Sequence, residues 1–171
     1  MAPRYVLMGP PGTGKTTVGK ALAQLTGLSR IDTDTEVERV AGKRIADIFV
    51  EDGEAAFRAR EREAVSAALS GEHGIVSLGG GAILDPDTQA DLRAARAAGT
   101  AVVFLDVSLH AVASRIGLNA SRPLLAVNPR KQWSELMEQR RPVYEELASF
   151  TVSTDHLDAQ RIAQEIVEAA S

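Results

Sequence analysis

The chain has 171 residues, of which 44% are hydrophobic, and its formal net charge is −4. The absence of cysteine excludes a disulfide framework and thiolate zinc sites and is typical of a reducing cytoplasm. The acidic balance argues against a general attraction to nucleic acid or anionic lipid, and no stretch approaches the ~18 consecutive apolar residues that a membrane helix requires. We therefore expect one cytoplasmic domain over residues 1–171, monomeric because no self-complementary interface is evident.

Short apolar runs alternate with amphipathic segments along the whole chain. The predicted strands cover residues 5–8, 29–32, 74–78, 101–105 and 150–153. The predicted helices cover residues 15–26, 34–41, 53–69, 86–98, 108–116, 131–147 and 157–169. This pattern is typical of buried parallel strands joined by crossover helices, and it predicts an α/β sandwich.

Local signals mark two helix starts and one long loop. Thr33 and Glu36 have the spacing of a capping box, so Thr33 is predicted to cap the second helix. Asp85 stands before Pro86, the order expected of a cap and the first helical residue. The stretch GLNASRPLLAVNPR, residues 117–130, predicts a loop long enough to require a function.

The stretch GPPGTGKTT, residues 9–17, follows an apolar strand and opens a helical pattern. Gly9, Gly14, Lys15 and Thr16 match G-x-x-x-x-G-K-S/T, in which backbone N–H groups cradle phosphates, the lysine reaches the β/γ oxygens and the hydroxyl ligates Mg²⁺. The stretch therefore predicts ATP and Mg²⁺ binding. The predicted nucleotide contacts are Gly12, Thr13, Gly14, Lys15, Thr16 and Thr17.

The acidic triplet DTD, residues 32–34, ends the weak second strand and so reaches the same sheet edge as the phosphate loop. Asp32 is a candidate to hold Mg²⁺ through water, and Asp34 is a candidate to accept a hydrogen bond from the hydroxyl that receives phosphate. Because the helix dipole would lower the pKa of Asp34, we favour orientation of the hydroxyl over strong proton abstraction. A structural role for either aspartate remains the alternative.

Two arginines fall among apolar residues. The guanidinium of Arg58 pairs either with the carboxylate of Glu61, one turn away, or with an anionic ligand. Arg140 has no acid one turn away in either direction, so it requires an acid from another element or an anionic ligand. Pro142 is expected to disrupt the helix locally. Arg140 lies on one face of the predicted helix over residues 131–147, in an otherwise apolar stripe at helical spacing. The stripe consists of Trp133, Met137, Arg140, Tyr144 and Leu147.

A third arginine, Arg122, precedes Pro123 in the long loop. If this loop closes over ATP, it brings a cation to the phosphoryl group in transit. A solvated loop charge is the alternative.

Three consecutive glycines, Gly79, Gly80 and Gly81, follow the third predicted strand. Each glycine costs backbone entropy on folding, and a tight turn would usually need one. The triplet therefore favours a close approach of backbone to a ligand at the carboxyl end of the strand.

The chain resembles the shikimate kinase family in an ordered set of motifs that spans nearly its whole length: the phosphate loop, DTD, FRARE, LGGGA, RPLL and RRPVY. The resemblance implies a fold of the nucleoside monophosphate kinase type. That fold is a three-layer sandwich with a five-stranded parallel sheet in the order 2-3-1-4-5 and a lid over about residues 117–130. It also implies transfer of the γ-phosphate of ATP to the 3-hydroxyl of shikimate, with Mg²⁺, in chorismate and aromatic amino acid biosynthesis.

The resemblance also implies roles for particular residues. Asp34 would hold the reacting hydroxyls, and Arg58 and Arg140 the shikimate carboxylate, within a shikimate-binding region of about residues 33–61. The remaining implied substrate contacts are Gly79, Gly80, Gly81, Phe49 and Phe57. Arg122 would be the lid arginine.

On the nucleotide side, the resemblance implies that Arg115 lies over adenine. The segment STDHLD, residues 153–158, departs from the basic, proline-containing segment that some relatives carry after the last strand. This departure puts in doubt any adenine contacts from residues 154–157.

Two other functions fit part of the pattern. A nucleotide or gluconate kinase would share the phosphate loop and lid, but two forked arginines on the acceptor side suit a carboxylated acceptor better. A nucleotide-dependent switch would need a partner surface, yet the chain has only four Phe, one Trp and two Tyr to anchor a partner.

Overall fold

The computed structural model describes residues 2–115 and 128–171. Five strands form one parallel sheet in the order β2-β3-β1-β4-β5, which confirms the predicted sheet. The strands are β1 Tyr5–Met8, β2 Arg30–Asp32, β3 Ile75–Ser77, β4 Ala101–Asp106 and β5 Phe150–Ser153. Their carboxyl ends lie at one edge of the sheet, where open α/β folds bind their ligands.

The described helices are α1 Lys15–Thr26, α2 Thr33–Ala41, α3 Ile45–Glu51, α4 Glu54–Ser70, α5 Pro86–Ala97, α6 Leu109–Arg115, α7 Pro129–Leu147 and α8 Ala159–Ala170. A single turn of 3-10 helix, Ala82–Leu84, follows the glycine triplet. The helix α3 was not predicted. It is only seven residues long and fully buries a single residue, Ile48, so its sequence carries too little periodicity to reveal it.

Both faces of the sheet are covered by helices. Alternate residues of β1 point to opposite faces: Leu7 packs with Leu22 of α1 and Ile166 of α8, whereas Val6 packs on the side of α4, α5 and α7. Strands buried on both faces have no polar face, which explains the continuous apolar runs. Among the described residues, no helix is long and apolar enough to cross a membrane.

The predicted stripe of α7 faces the protein interior. All five of its residues are buried: Trp133, Met137, Arg140, Tyr144 and Leu147. Contrary to expectation, the helix continues through Pro142 without a break. Tyr144 stacks on Phe104 of β4 with ring centroids 4.8 Å apart, and its hydroxyl donates to the carbonyl oxygen of Gly80 at 2.6 Å. These contacts bring Arg140, one turn earlier, to the glycine triplet.

One predicted helix cap is wrong and the other is confirmed. The cap of α2 is Asp32, whose carboxylate accepts from the Asp34 N–H, and Thr33 is already helical. The Thr33 hydroxyl instead accepts a hydrogen bond from the N–H of Gly79 at 3.1 Å, a tertiary contact that no local pattern predicts. Asp85 caps α5 as expected, accepting from two backbone N–H groups.

Candidate active site

The phosphate loop connects β1 to α1. Gly12 and Gly14 have φ angles of 87° and 88°, in the left-handed region that favours glycine and turns the backbone sharply into the helix. No side chain caps the N-terminus of α1, so its first N–H groups and the positive end of its dipole face the loop. This arrangement binds an anion such as a phosphate.

Lys15 lies at the centre of the site. Its Nζ donates to the carbonyl oxygens of Gly9 at 2.6 Å and Pro10 at 3.0 Å. Burial lowers the pKa of Lys15 to about 8, and the charges of Asp34 and Asp32 oppose this shift. The ammonium therefore links the phosphate loop to the acidic triplet.

Asp32 joins the acidic triplet to the phosphate loop. Its Oδ1 accepts from the Asp34 N–H at 3.0 Å, and its Oδ2 accepts from the Thr16 hydroxyl at 3.3 Å. The described residues contain no group of three His, Cys, Asp or Glu side chains placed to hold a metal. One hydroxyl and one carboxylate suit Mg²⁺, which usually keeps several waters and takes its other ligands from substrate phosphates.

Asp34, in the first turn of α2, is only partly exposed. Burial, together with the neighbouring charges of Asp32 and Glu61, raises its pKa to about 6, against the opposing charge of Lys15. The expected lowering by the helix dipole is therefore wrong, because desolvation and like charges outweigh the dipole. A carboxylate with a pKa near 6 is well matched to accept a proton near neutral pH.

Arg58, on α4, does form the ion pair that the sequence left open. Its Nη1 lies 2.8 Å from Oε1 of Glu61, which is only 4% exposed. The guanidinium also lies 5.2 Å from the ring centroid of Phe57, which in turn packs on Phe49 at 4.8 Å. The Nε of Arg58 lies 3.9 Å from Oε1 of Glu54, a longer ion pair. Nη2 takes part in neither ion pair, so the guanidinium is held in place and keeps donors for a ligand.

Arg140, on α7, is 8% exposed, and within residues 2–115 and 128–171 it has no carboxylate partner. Its Nε is buried without a hydrogen-bond partner. Tyr144 beside it stays neutral, because burial raises the pKa of its hydroxyl to about 12. A buried guanidinium without a counter-charge is costly, and an anionic ligand would supply that charge and a hydrogen-bond acceptor.

The glycine triplet lies where these side chains meet. Cβ atoms added at Gly79, Gly80 and Gly81 would contact Asp34, Arg140 and Arg58, respectively. The structure thus brings together the predicted acceptor residues from α2, α4 and α7, next to Lys15. Phe57, which is buried, lies beside Arg58, and Phe49, which is exposed, packs on Phe57.

Another arginine, Arg115, lies on the nucleotide side beside the phosphate loop. Arg115 donates to the carbonyl oxygens of Gly12 at 3.3 Å, Asp155 at 2.8 Å and Thr154. Leu157 packs against the loop, since a Cβ on Gly14 would lie 3.0 Å from its Cδ1. The segment after β5 thus borders the phosphate loop, a contact that no local sequence pattern predicts.

Arg122 and most of the predicted lid lie outside the described residues. The structure therefore gives no account of the lid arginine, and its role remains a prediction.

The fold has a glycine loop between a buried strand and a helix, with a Thr–Asp pair and two arginines beside it. These features define a P-loop phosphotransferase that acts on a small anionic molecule. The particular family follows from comparison. Residues 11–171 match the family model described as shikimate kinase. This chain belongs to the shikimate kinase family.

Relatives cover nearly the full length of the chain. A shikimate kinase of Streptomyces coelicolor is 51% identical over 168 residues, covering 98% of this chain and 95% of the relative. One from Salinispora arenicola is 52% identical over 166 residues, covering 97% and 96%. Such extended similarity explains why the ordered motifs identified the family.

Solved structures agree on the fold. Shikimate kinase from Acinetobacter baumannii in complex with shikimate has a TM-score of 0.88 and 36% identity, covering 98% of this chain and 92% of that one. A gluconokinase from Sinorhizobium meliloti has a TM-score of 0.59 and 21% identity, covering 99% and 91%, a likeness of fold alone. The gluconate kinase alternative therefore shares the architecture but not the family.

Proposed function

We propose that this chain transfers the γ-phosphate of ATP to the 3-hydroxyl of shikimate, giving shikimate 3-phosphate and ADP. The observation that carries the proposal is Arg140, a buried guanidinium that has no carboxylate partner among the described residues and lies with Arg58 and Asp34 at the glycine triplet. A ligand that offers a carboxylate to two arginines and a hydroxyl to an aspartate satisfies all three groups. Shikimate has both, and a relative of 36% identity is a complex with it.

The phosphate side of the reaction relies on residues 12–17. The loop N–H groups and Lys15 bind the phosphates of ATP, and Lys15 also offsets charge that builds up during transfer. Thr16 and Asp32 would hold Mg²⁺, which when bound supplies charge neutralisation at the β- and γ-phosphates. Their hydroxyl and carboxylate oxygens, 3.3 Å apart, are the oxygen donors that this ion prefers.

The acceptor side positions shikimate and receives its proton. Arg58 and Arg140 bind the carboxylate, while Asp34 aligns the 3-hydroxyl and takes its proton as the oxygen attacks the γ-phosphorus. The raised pKa of Asp34, about 6, suits this transfer better than an ordinary aspartate would. Backbone of Gly79, Gly80 and Gly81 contacts the ring edge, and Phe49 and Phe57 form the wall of the region over residues 33–61.

Two further arginines complete the proposed nucleotide site. Arg115 lies over adenine, held by the segment after β5. Arg122, in a lid over about residues 117–130, reaches the phosphoryl group when the lid closes and excludes water.

We also propose that the chain acts as a cytoplasmic monomer without nucleic acid or membrane partners. The lack of cysteine and the net charge of −4 support this placement. Size-exclusion chromatography with light scattering would give a mass near 18.2 kDa for a monomer.

ADP release from MgATP by the purified protein tests the activity, with shikimate, gluconate, AMP, CMP or no acceptor in parallel reactions. Strong stimulation by shikimate alone is the expected result. Stimulation by another acceptor would point to a different kinase specificity, and no stimulation by any would favour a nucleotide-dependent switch.

A further inference from the structure

The glycine triplet contains an unexplained choice of residue. Glycine is usually required where φ is positive, but Gly79, Gly80 and Gly81 are absent from the residues with positive φ, and Gly81 has a φ of −98°. Any residue could adopt this backbone. The glycines must therefore serve a purpose other than conformation, since each costs entropy on folding.

The available space explains the choice. A Cβ on Gly81 would lie 2.6 Å and 2.8 Å from Nη1 and Nη2 of Arg58. A Cβ on Gly79 would overlap Oδ1 of Asp34 and lie 3.1 Å from its Cγ. Distances below 3.0 Å force one of the two groups to move.

The atoms that would move are the functional ends of flexible side chains. Neither position brings the added Cβ closest to backbone, so relief comes from rotating the carboxylate of Asp34 or the guanidinium of Arg58. The Arg58 ion pair with Glu61, at 2.8 Å, would be strained by the same movement. An added methyl group therefore displaces the chemistry of the site more than it disturbs the fold.

We propose that Gly79 and Gly81 are positioning residues: their missing Cβ atoms set where Asp34 and Arg58, respectively, stand in the site. This inference rests on the proposed function and deepens it, because it assigns substrate binding and the chemical step to two different glycines of one loop. Gly79 controls the reacting aspartate and Gly81 controls the carboxylate-binding arginine. Gly80 belongs to neither pair, since its added Cβ would lie 3.1 Å from Pro11 Cδ and 3.3 Å from Arg140 Nη1.

Steady-state kinetics of Gly79→Ala and Gly81→Ala test the separation. Gly81→Ala should raise the shikimate KM about tenfold with kcat changed less than about threefold, because Arg58 binds the ground state and the transition state alike. Gly79→Ala should lower kcat about tenfold or more with a nearly unchanged shikimate KM. Equal effects of both variants on both parameters would overturn the proposal.

A double-variant cycle distinguishes displacement of Arg58 from a direct clash between the new methyl group and the substrate. If Gly81 acts through Arg58, Gly81→Ala should change the shikimate KM less than about twofold in an Arg58→Ala background. A full tenfold cost in that background would mean that the methyl group itself obstructs shikimate, which overturns the positioning role.

Crystal structures of the two variants without substrate provide a readout that does not depend on activity. The guanidinium of Arg58 should be displaced in Gly81→Ala, and the carboxylate of Asp34 in Gly79→Ala, with the other group unmoved in each. Unmoved side chains in both would overturn the proposal. Wild-type protein without shikimate-dependent ADP release would instead remove the proposed function, while the displacements would still be measured.

Discussion

The phosphate loop of the site comes from one contiguous stretch, residues 9–17, whereas the acceptor side collects side chains from α2, α4 and α7. The first uses backbone N–H groups and a helix end, which any strand–glycine–helix sequence of this pattern forms locally. The second depends on charged side chains held against one another across the fold.

This difference affects the electrostatics of the two sides. The acceptor side holds Asp34 with its pKa raised to about 6, the buried Glu61 and the buried Arg140, whose Nε has no hydrogen-bond partner among the described residues. Charges buried in this way store free energy that ligand binding can recover. Substitutions on the acceptor side should therefore separate binding from chemistry and stability from activity.

Asp34→Asn should give the largest effect. Loss of the proton acceptor is expected to lower kcat by roughly 10²–10⁴-fold, with ATP binding close to normal. Steady-state kinetics and calorimetric titration with ATP measure the two quantities. Glu36→Gln is the matched control, because Glu36 also lies in the first turn of α2 but pairs with Arg39 at the surface. Near-normal turnover of Asp34→Asn would refute its role.

Arg140→Ala should give the second-largest effect on activity. If Arg140 pairs with the substrate carboxylate as proposed, removing its buried guanidinium should raise the shikimate KM roughly 10²-fold, with the KM for ATP nearly unchanged. Arg141→Ala is the matched control, because that arginine lies on the same helix but pairs with Asp106 at 2.7 Å. An unchanged shikimate KM in Arg140→Ala would remove this arginine from the carboxylate site.

Asp32→Asn should have a smaller and different effect, because it touches the nucleotide side. Weakening one oxygen donor is expected to raise the Mg²⁺ concentration for half-maximal activity about tenfold. The shikimate Kd, measured by titration without nucleotide, should stay unchanged. A rise in the shikimate Kd with a normal Mg²⁺ requirement would show that Asp32 acts on the acceptor side instead of the nucleotide side.

The smallest effect concerns stability. The pKa of Asp34 is raised from 3.8 to about 6 on folding, so its ionisation lowers stability as pH rises from about 4 to 6. Asp34→Asn removes this cost and should increase the free energy of unfolding by about 1–3 kcal/mol at pH 7.

Denaturant unfolding of the metal-free protein at pH 7 and pH 4 measures this gain, which should nearly vanish at the lower pH. An equal gain at both pH values would show that the charge of Asp34 is not its source.

Sequence alone was sufficient wherever a feature is local or repeats along the chain. The apolar runs placed all five strands to within about a residue or two, since strands buried on both faces must be continuously apolar. The phosphate loop was recognisable because its function resides in backbone geometry that a few glycines dictate. Arg140 was identified because its position on an apolar stripe fixes it inside the fold.

Only the tertiary structure decided how distant groups share one space. The predicted pKa of Asp34 is wrong because burial, with the charges of Asp32 and Glu61, outweighs the helix dipole, and the local sequence does not show which side chains other elements bury. Thr33 was misassigned as a cap because its hydroxyl meets Gly79, 46 positions away. Sequence determined which residues this protein uses, and packing determined their charges and contacts, because desolvation and close approach arise only when separate elements meet.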